Sequence, residues 1–338
     1  MKKTELIISG PLSLDALDED AQVEPQVEQR LLAFGSAQHG MRLDRALVDL
    51  VPEFSRNYLQ QLIEAGSVLV NGQVLYKASH KVRASDSGLI ELRPTPQSQA
   101  FKAEAMALDV VYLDAHLLVI NNPAGLVVHP APGNWSGTLM NGLLAHDPQA
   151  FDLPRAGIVH RLDKDTSGLM VVARTRAVMD ALVKAIAARE VKRQYLAIGQ
   201  GAWLGASRRE VDAAIGRDPA NRLRMAAVDL SLHPGKLART DFELLANAAQ
   251  ACLVHCTLHT GRTHQIRVHM AQLRHPLLGD ALYGGGLAFG MARQALHAYR
   301  LAFSHPVTQQ ALSFAAPVPP DFSLALSSLG LKYNPGNI

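Results

Sequence analysis

The segment GIVHRLDKDTSGLMVVART, residues 157–175, packs His160, Arg161, Asp163, Lys164, Asp165, Thr166 and Ser167 between two apolar runs. Apolar strands that enter and leave a polar turn present the turn's side chains at a cleft. Asp163 follows Leu162 directly after the first strand, so it is the carboxylate best held by the core. Asp165 precedes Thr-Ser-Gly and reads as a turn-former bonded to its own backbone. A purely structural turn is the plainer alternative. A second segment, HTGRTHQIRVHMAQL at 259–273, sets Ile266, Met270 and Leu273 on one side of a helix that Thr263 can cap after a turn at Gly261. Arg267 lies beside that stripe, and a guanidinium at a core edge needs an anion. Asp163 is the expected anion, because an Arg beside a carboxylate favours the charged form that a nucleophile uses. A structural Arg–Asp pair is the alternative. In a third segment, KRQYLAIG at 192–199, strand alternation places Tyr195 and Ala197 on one face and Gln194, Leu196 and Ile198 on the other. Tyr195 bears on the chemistry only if its face looks into the cleft of Asp163.

Other patterns do not carry chemistry. Cys252, His255, Cys256 and His259 have the residue types of a zinc site, but the spacing is C-x₃-C in a strand-like run. Period two puts the cysteines on one face and the histidines on the other, so no metal site is expected. Gly284-Gly285-Gly286 has no following GK[ST], so no nucleotide loop is expected. Ser167-Gly168 lacks the G-x-S-x-G elbow of an α/β-hydrolase.

These groups act only if regular elements hold them. A chain of 338 residues has the length of about two domains at roughly 150 residues each. Its 48% apolar content is that of a globular protein. No apolar run approaches the ~18 residues of a membrane span, and the Leu6–Ile8 patch is too short for a signal-peptide core. Two cysteines make no disulfide framework, which suits a reducing cytoplasm. Residues 1–30 hold seven acids against three bases, so a net charge of +3 leaves +7 on the rest of the chain. Residues 1–33 lack a sustained period and read as a disordered acidic tail. A basic body suits a polyanionic partner, though a merely basic enzyme has the same balance.

From Met41 the periodicity is helical. Leu43, Ala46, Leu47 and Leu50 mark one helix, which Pro52 stops. Ser55 caps a second helix with Leu59, Leu62 and Ile63, and Gly66 ends it. Ser67–Val70, Asn71-Gly72 and Gln73–Leu75 read as a hairpin. Residues 93–108 (RPTPQSQAFKAEAMAL) read as a linker. Beyond it, strands are expected at Asp109–Tyr112, Leu117–Asn121, Gly168–Arg174, Lys192–Gly199 and 252–258, and a last regular segment near 297–303. Helices are expected after Thr175, with Val178, Met179, Leu182, Val183 and Ile186 as its stripe, and over 263–273. Few of these pairs have βαβ spacing. The expected class is α+β with a mixed, mainly antiparallel sheet and a small α/β module before it.

The stretch RLDRALVDLVPEFSRNYLQQLIEAGSVLVNGQVLYKASHKV resembles the S4 RNA-binding domain, a likeness that runs over residues 41 to about 92. It implies that Arg42, Ser55, Arg56 and Lys81 face RNA phosphates. A helix start with Ser and Arg offers amides, a hydroxyl and a forked cation to a phosphate. Ala78 and Ser85 depart from that family's usual Pro and Gly. NPAGLVVHP (122–130), PRAGIVHRLDKDTSGLMVVART (154–175), KRQYLA (192–197) and TGRTHQIRVHM (260–270) together resemble the RluA family of pseudouridine synthases. The Pro-Arg-Ala-Gly-Ile-Val lead-in and the preceding S4 domain are similar to its RluD-type members. Asn122 departs from the usual Lys.

The resemblance implies a domain layout: an acidic tail over 1–33, an S4-like domain over 34–92, a linker over 93–108, a catalytic domain over 109–328 and a tail over 329–338. It makes Asp163 the catalytic carboxylate, Tyr195 the residue against the target base and Arg267 the partner of Asp163. Arg161 matches a residue that enters the space left by a flipped nucleotide; His160, Arg262 and His264 stand beside it as RNA contacts. The implied partner is a 23S rRNA stem-loop, free or within the large ribosomal subunit, met in the cytoplasm by a monomer with no membrane role. Isomerising uridine moves no hydride, phosphoryl group or redox equivalent, so no cofactor or metal is expected. A tRNA-directed synthase of the same family and a non-catalytic rRNA-binding or assembly factor are the other readings.

Overall fold

The computed structural model describes residues 28–93, 101–131 and 134–334. The chain divides into two compact units, Met1–Thr95 and Pro96–Ile338. In the first, strand β1 (Glu28–Ala33) precedes helices α1 (Leu43–Leu50) and α2 (Arg56–Glu64). Strands β2 (Val68–Val70), β3 (Gln73–Val74) and β4 (Ser87–Leu92) follow, in a sheet of order β1-β4-β2-β3. The helices form where the apolar spacing placed them: Leu43, Ala46, Leu47, Leu59, Leu62 and Ile63 are buried in one cluster with Val68 and Ile90. Ser55 caps α2 by accepting from the Tyr58 amide at 3.3 Å. Asn71 and Gly72 both take positive φ, 50° and 77°, as a tight hairpin turn requires.

The acidic tail expected over 1–33 lies outside the described residues as far as residue 27. Its last six residues are not tail: they form β1, because Arg30 and Leu32 pair with Ile90 and Gly88 of β4 along a full antiparallel register. The linker expected over 93–108 is also only partly a linker. From residue 101 the chain lies on the second unit, where the Glu104 amide donates to the Asn141 carbonyl at 3.0 Å and the Asn141 amide group donates to the Lys102 carbonyl at 2.8 Å.

The second unit contains β5 (Val110–Leu113), β6 (Leu117–Asn122), α3 (Leu139–His146), β7 (Ser167–Ala173), α4 (Arg176–Ala187) and β8 (Lys192–Gln200). Next come β9 (Arg208–Asp212), β10 (Ile215–Arg217), β11 (Met225–Ala227), β12 (Gly235–Lys236), β13 (Arg239–Asn247) and β14 (Ala251–Leu258). The chain closes with α5 (Gln265–Gln272), β15 (Leu296–Ser304), β16 (Ala311–Ala315) and α6 (Pro320–Ser328). The main sheet runs β5-β6-β7-β15-β8-β14-β13-β9, with β16 on β15, and β10 to β12 form a small separate sheet. Among the described residues only the β7–β15 pairing is parallel; the class is mixed and mainly antiparallel, as expected.

Both faces of the main sheet are covered, so its central strands are apolar on both sides. Every residue of β7 is buried. On β8, Tyr195 and Ala197 join one apolar cluster while Leu196 and Ile198 join another, which is the alternation expected. Cys252 and Cys256 lie in the Tyr195 cluster, and His255 stacks edge-on against Tyr299 at 5.7 Å. Gly168 is required by close approach: at φ 121° a Cβ there would stand 2.2 Å from the Ala298 carbonyl oxygen across the parallel pair.

The segment expected as a C-terminal tail over 329–338 begins by packing. Leu331 is buried with Phe322 and Leu326 of α6. Val183, placed on the buried stripe of α4, is exposed at 46%, since that helix buries only Val178 and Leu182 fully.

Candidate active site

A cavity of about 800 Å³ opens in the second unit, within the roughly 300–1,000 Å³ typical of ligand pockets. All three segments that concentrate reactive side chains line it, bringing together Asp163, Tyr195 and the loop that leads into α5. Asp163 stands just after Leu162, which is buried, and its own side chain is 15% exposed. Its carbonyl accepts from the Thr166 amide at 2.9 Å, closing the turn.

The turn is then tied down from the far end of the chain. Arg293 donates to the Asp165 carbonyl at 2.9 Å while pairing with Asp321 of α6 at 2.7 Å. Gln294 donates to the Thr166 hydroxyl at 3.2 Å, and Ser167 bonds His297 at 3.0 Å. Asp165 therefore shapes the turn through its backbone, not through the side-chain bond expected. On the other side, the Gly125 amide donates to the Lys164 carbonyl at 2.9 Å. Asn122 is buried and donates to the Leu126 carbonyl at 3.0 Å, so it ties its own loop.

Arg267 is buried in α5 and does meet Asp163, at 3.4 Å. That contact is the lesser of two. Its Nε and Nη2 donate to both oxygens of Asp280, at 2.7 and 2.8 Å, in a forked pair, and its guanidinium lies 5.0 Å from the Tyr283 ring centroid. Two fork-aligned bonds of this length are stronger and more directional than one at 3.4 Å. Asp280 and Tyr283 were missed in the sequence because GDALYGGG has no period and follows no recognisable strand. The one signal was that a buried Arg near Asp163 left room for a second carboxylate.

The start of α5 also differs from expectation. Thr263 does not cap it: the helix begins after His264, which takes a left-handed φ of 58°. Gln265 does the organising, accepting from the Arg262 amide at 2.9 Å and from the Thr260 hydroxyl at 2.7 Å. The left-handed turn aims the His264 ring at the Tyr283 hydroxyl, 2.8 Å away. Burial lowers the His264 pKa, and burial followed by the Arg193 charge pushes His160 down to about 3. His160 also accepts from the Val171 amide at 3.1 Å. Both shifts favour the neutral imidazole, so in the free chain neither ring adds positive charge to the cavity. Arg161 and Arg262 do line the cavity, Arg161 exposed and Arg262 donating to the Leu237 carbonyl at 3.0 Å. Arg155, Arg189, Arg193 and His129 line it too and were not singled out in the sequence. Burial pushes Tyr195 up to about 12, so its phenol stays protonated across the neutral range.

In the first unit, Arg42 and Arg56 converge on Asp44, which is fully buried. Arg56 approaches it at 2.7 Å, Arg42 at 3.0 Å and Gln60 at 2.6 Å. Burial alone would raise the Asp44 pKa, but these hydrogen bonds outweigh it and hold the carboxyl well below its usual range. Arg42 forms a backbone bridge with Lys81, and Ser55 directly precedes Arg56. The four expected phosphate contacts thus form one patch, but part of the charge on Arg42 and Arg56 is already met by Asp44. Ser55 spends its oxygen on the helix cap, while Lys81 is exposed.

The RNA pseudouridylate synthase family model matches residues 116–272, and the S4 domain model matches residues 41–87. Ribosomal large subunit pseudouridine synthase D of Neisseria meningitidis is 46% identical over 304 residues, which is 87% of this chain and 80% of that protein. The protein of the same name from Xylella fastidiosa is 46% identical over 303 residues, 86% of this chain and 89% of the relative. The solved structure of human RNA pseudouridylate synthase domain containing 1 superposes with a TM-score of 0.52 at 27% identity, covering 65% of this chain and 87% of that one.

Proposed function

This chain belongs to the RNA pseudouridylate synthase family, and from that premise we propose that Asp163 is its catalytic carboxylate and large-subunit rRNA its substrate. The observation that carries the reading is the placement of Asp163: a nearly buried carboxylate on a braced turn, facing an 800 Å³ cavity and steadied by Arg267 at 3.4 Å.

The reaction needs the uridine C1′–N1 bond broken, the uracil turned and a C1′–C5 bond formed. The target base must first leave its stack, at a cost of a few kcal/mol that contacts in the cavity offset. The buried Tyr195 supplies an apolar ring against which the base can lie, with its hydroxyl still protonated. Asp163 works on the ribose or the base, and Arg267, fixed by Asp280, keeps its carboxylate oriented. Exposed Arg155 and Arg189 at the rim meet the backbone phosphates, while exposed Arg161 on the cavity lining enters the space that the flipped base leaves. The Arg42, Ser55, Arg56 and Lys81 patch adds affinity for the same RNA, with Lys81 as its freest charge. The relatives named for the large ribosomal subunit support rRNA over tRNA, and such a substrate puts the enzyme in the cytoplasm.

The test is purified protein in EDTA with unmodified 23S rRNA and with tRNA transcripts, read by pseudouridine-specific sequencing. Pseudouridine in 23S rRNA by the wild type and none by Asp163→Asn is expected. Modification of tRNA alone overturns the substrate assignment, and activity in Asp163→Asn overturns the catalytic one.

A further inference from the structure

Arg193 is the one buried guanidinium facing the cavity for which, among the described residues, no ion pair exists. It is 7% exposed, and its Nε is sealed from solvent without a hydrogen-bond partner. It stands on β8 two residues before Tyr195, so both side chains leave the same face of the strand and both line the cavity. The fold makes room for it. Gly261, in the turn before α5, has the Arg193 guanidinium where a side chain would start: a Cβ there would lie 2.7 Å from Nη1.

Burying a cation without an anion is destabilising, and a well-packed apolar side chain of the same length would serve the fold better. Such a charge is kept where a ligand supplies the missing partner. Its depth says which part of the ligand. Arg155 and Arg189 are exposed, as backbone contacts at a rim are, whereas Arg193 is nearly as buried as Tyr195, at 7% against 5%. What enters farthest is the flipped base.

We propose that Arg193 binds the carbonyl edge of the target uracil and carries the negative charge of that ring while it is detached from the ribose. The proposal rests on the reading of Asp163 given above. When the C1′–N1 bond breaks, its electron pair stays on the uracil and spreads over the two ring carbonyls. The C1′–C5 bond then forms from that ring, the C5 proton leaves to water and N1 takes a proton. A guanidinium fixed in a water-poor cavity stabilises the ring most at the stage when it is charged, and needs no reorganisation to do so.

The test uses the full chain with Arg193→Met and Arg193→Lys, measured by single-turnover rate, RNA Kd, the salt slope of binding and Tm. The single-turnover rate of Arg193→Met should fall by roughly 10²–10³-fold, the scale of losing one charge-stabilising donor. Arg193→Lys should recover part of that loss. RNA Kd and salt slope should hold, and the Tm of Arg193→Met should equal or exceed that of the wild type. An unchanged rate overturns the proposal. A weaker Kd with a salt slope lower by about one, at unchanged rate, places Arg193 on a phosphate and overturns it too. A Tm that falls with the rate in both variants marks a structural role. Asp163→Asn is run alongside: if it is active, the reading of Asp163 has failed; if it is inactive while Arg193→Met is unimpaired, only this inference has.

Discussion

Replacing Asp280 by Asn separates the residue that holds the site from the residue that acts in it. The Asp280 side chain is 1% exposed and that of Arg267 is 9%, and their forked bonds measure 2.7 and 2.8 Å. Breaking a buried pair by removing one partner costs about 3–5 kcal/mol, because the other charge is left uncompensated. Asp163 remains as a partial partner at 3.4 Å, so the lower end, about 3 kcal/mol, is expected. In a unit of this size each kcal/mol moves the melting temperature by roughly 2–4 °C, which gives a loss of roughly 6–12 °C. Asp163→Asn loses one 3.4 Å contact but keeps an acceptor for Arg267, whose fork to Asp280 stays intact, so it should cost less than Asp280→Asn. Thermal melts followed by circular dichroism at neutral pH read both variants, with tritium release from C5-labelled uridine in rRNA as the activity measure. Asp280→Asn should melt early, and Asp163→Asn should melt later than Asp280→Asn while releasing nothing. A double variant, Arg267→Met with Asp280→Leu, should be milder than the sum of the singles by about 0.5–3 kcal/mol. An Asp280→Asn protein that melts with the wild type would refute the claim that Asp280 is the main partner of Arg267.

Asp165→Asn should keep most activity in the same tritium assay, since Asp165 contributes a carbonyl to the turn; loss confined to this variant would reverse the roles of the two carboxylates. Lys81→Ala should weaken RNA binding and lower the salt slope by about one, measured by titration across salt concentrations, whereas Asp44→Asn should destabilise the first unit in a thermal melt. The His160 pKa is depressed to about 3 in the folded chain against about 6.5 unfolded, so the stability it contributes is full above about pH 6.5 and is lost as pH falls toward 3. His160→Gln, which can still accept from Val171, should flatten the decline of Tm between pH 6.5 and pH 4. An unchanged decline would show that His160 is not the titrating group.

Periodic elements were legible, and groups defined by a partner far along the chain were not. The helices around Leu47 and Leu62 follow from their apolar spacing, and the Tyr195 strand from its alternation, because each buries a face against a core. Strands β9 to β12, runs of two to five residues, are too short to show a period, and β13, α3 and α6 also went unread. Asp163 stood out because two apolar runs enclose it. Asp280 did not, since it sits in an aperiodic loop and its importance comes only from Arg267, thirteen residues earlier. His264 looked like a helix-start cation; its left-handed backbone and bond to Tyr283 follow from how Gln265 fastens the turn, which no local pattern encodes. The paired carboxylate of Asp44 was hidden for the same reason: Arg42 and Arg56 look like free charges until the helices fold them together.

The bracing of the Asp163 turn has a consequence for how the protein is born. Residues 163–167 leave the ribosome long before the groups that hold them: Arg293 reaches Asp165 across 128 positions, Ser167 meets His297 across 130, and β7 finds its parallel neighbour only in β15. Contacts this distant in sequence form late, after the local helices and hairpins. A nascent chain stopped before residue 293 therefore carries all of the lead-in GIVHRLDKDTSG yet has no finished turn. The bracing of the site is therefore completed only near the end of synthesis.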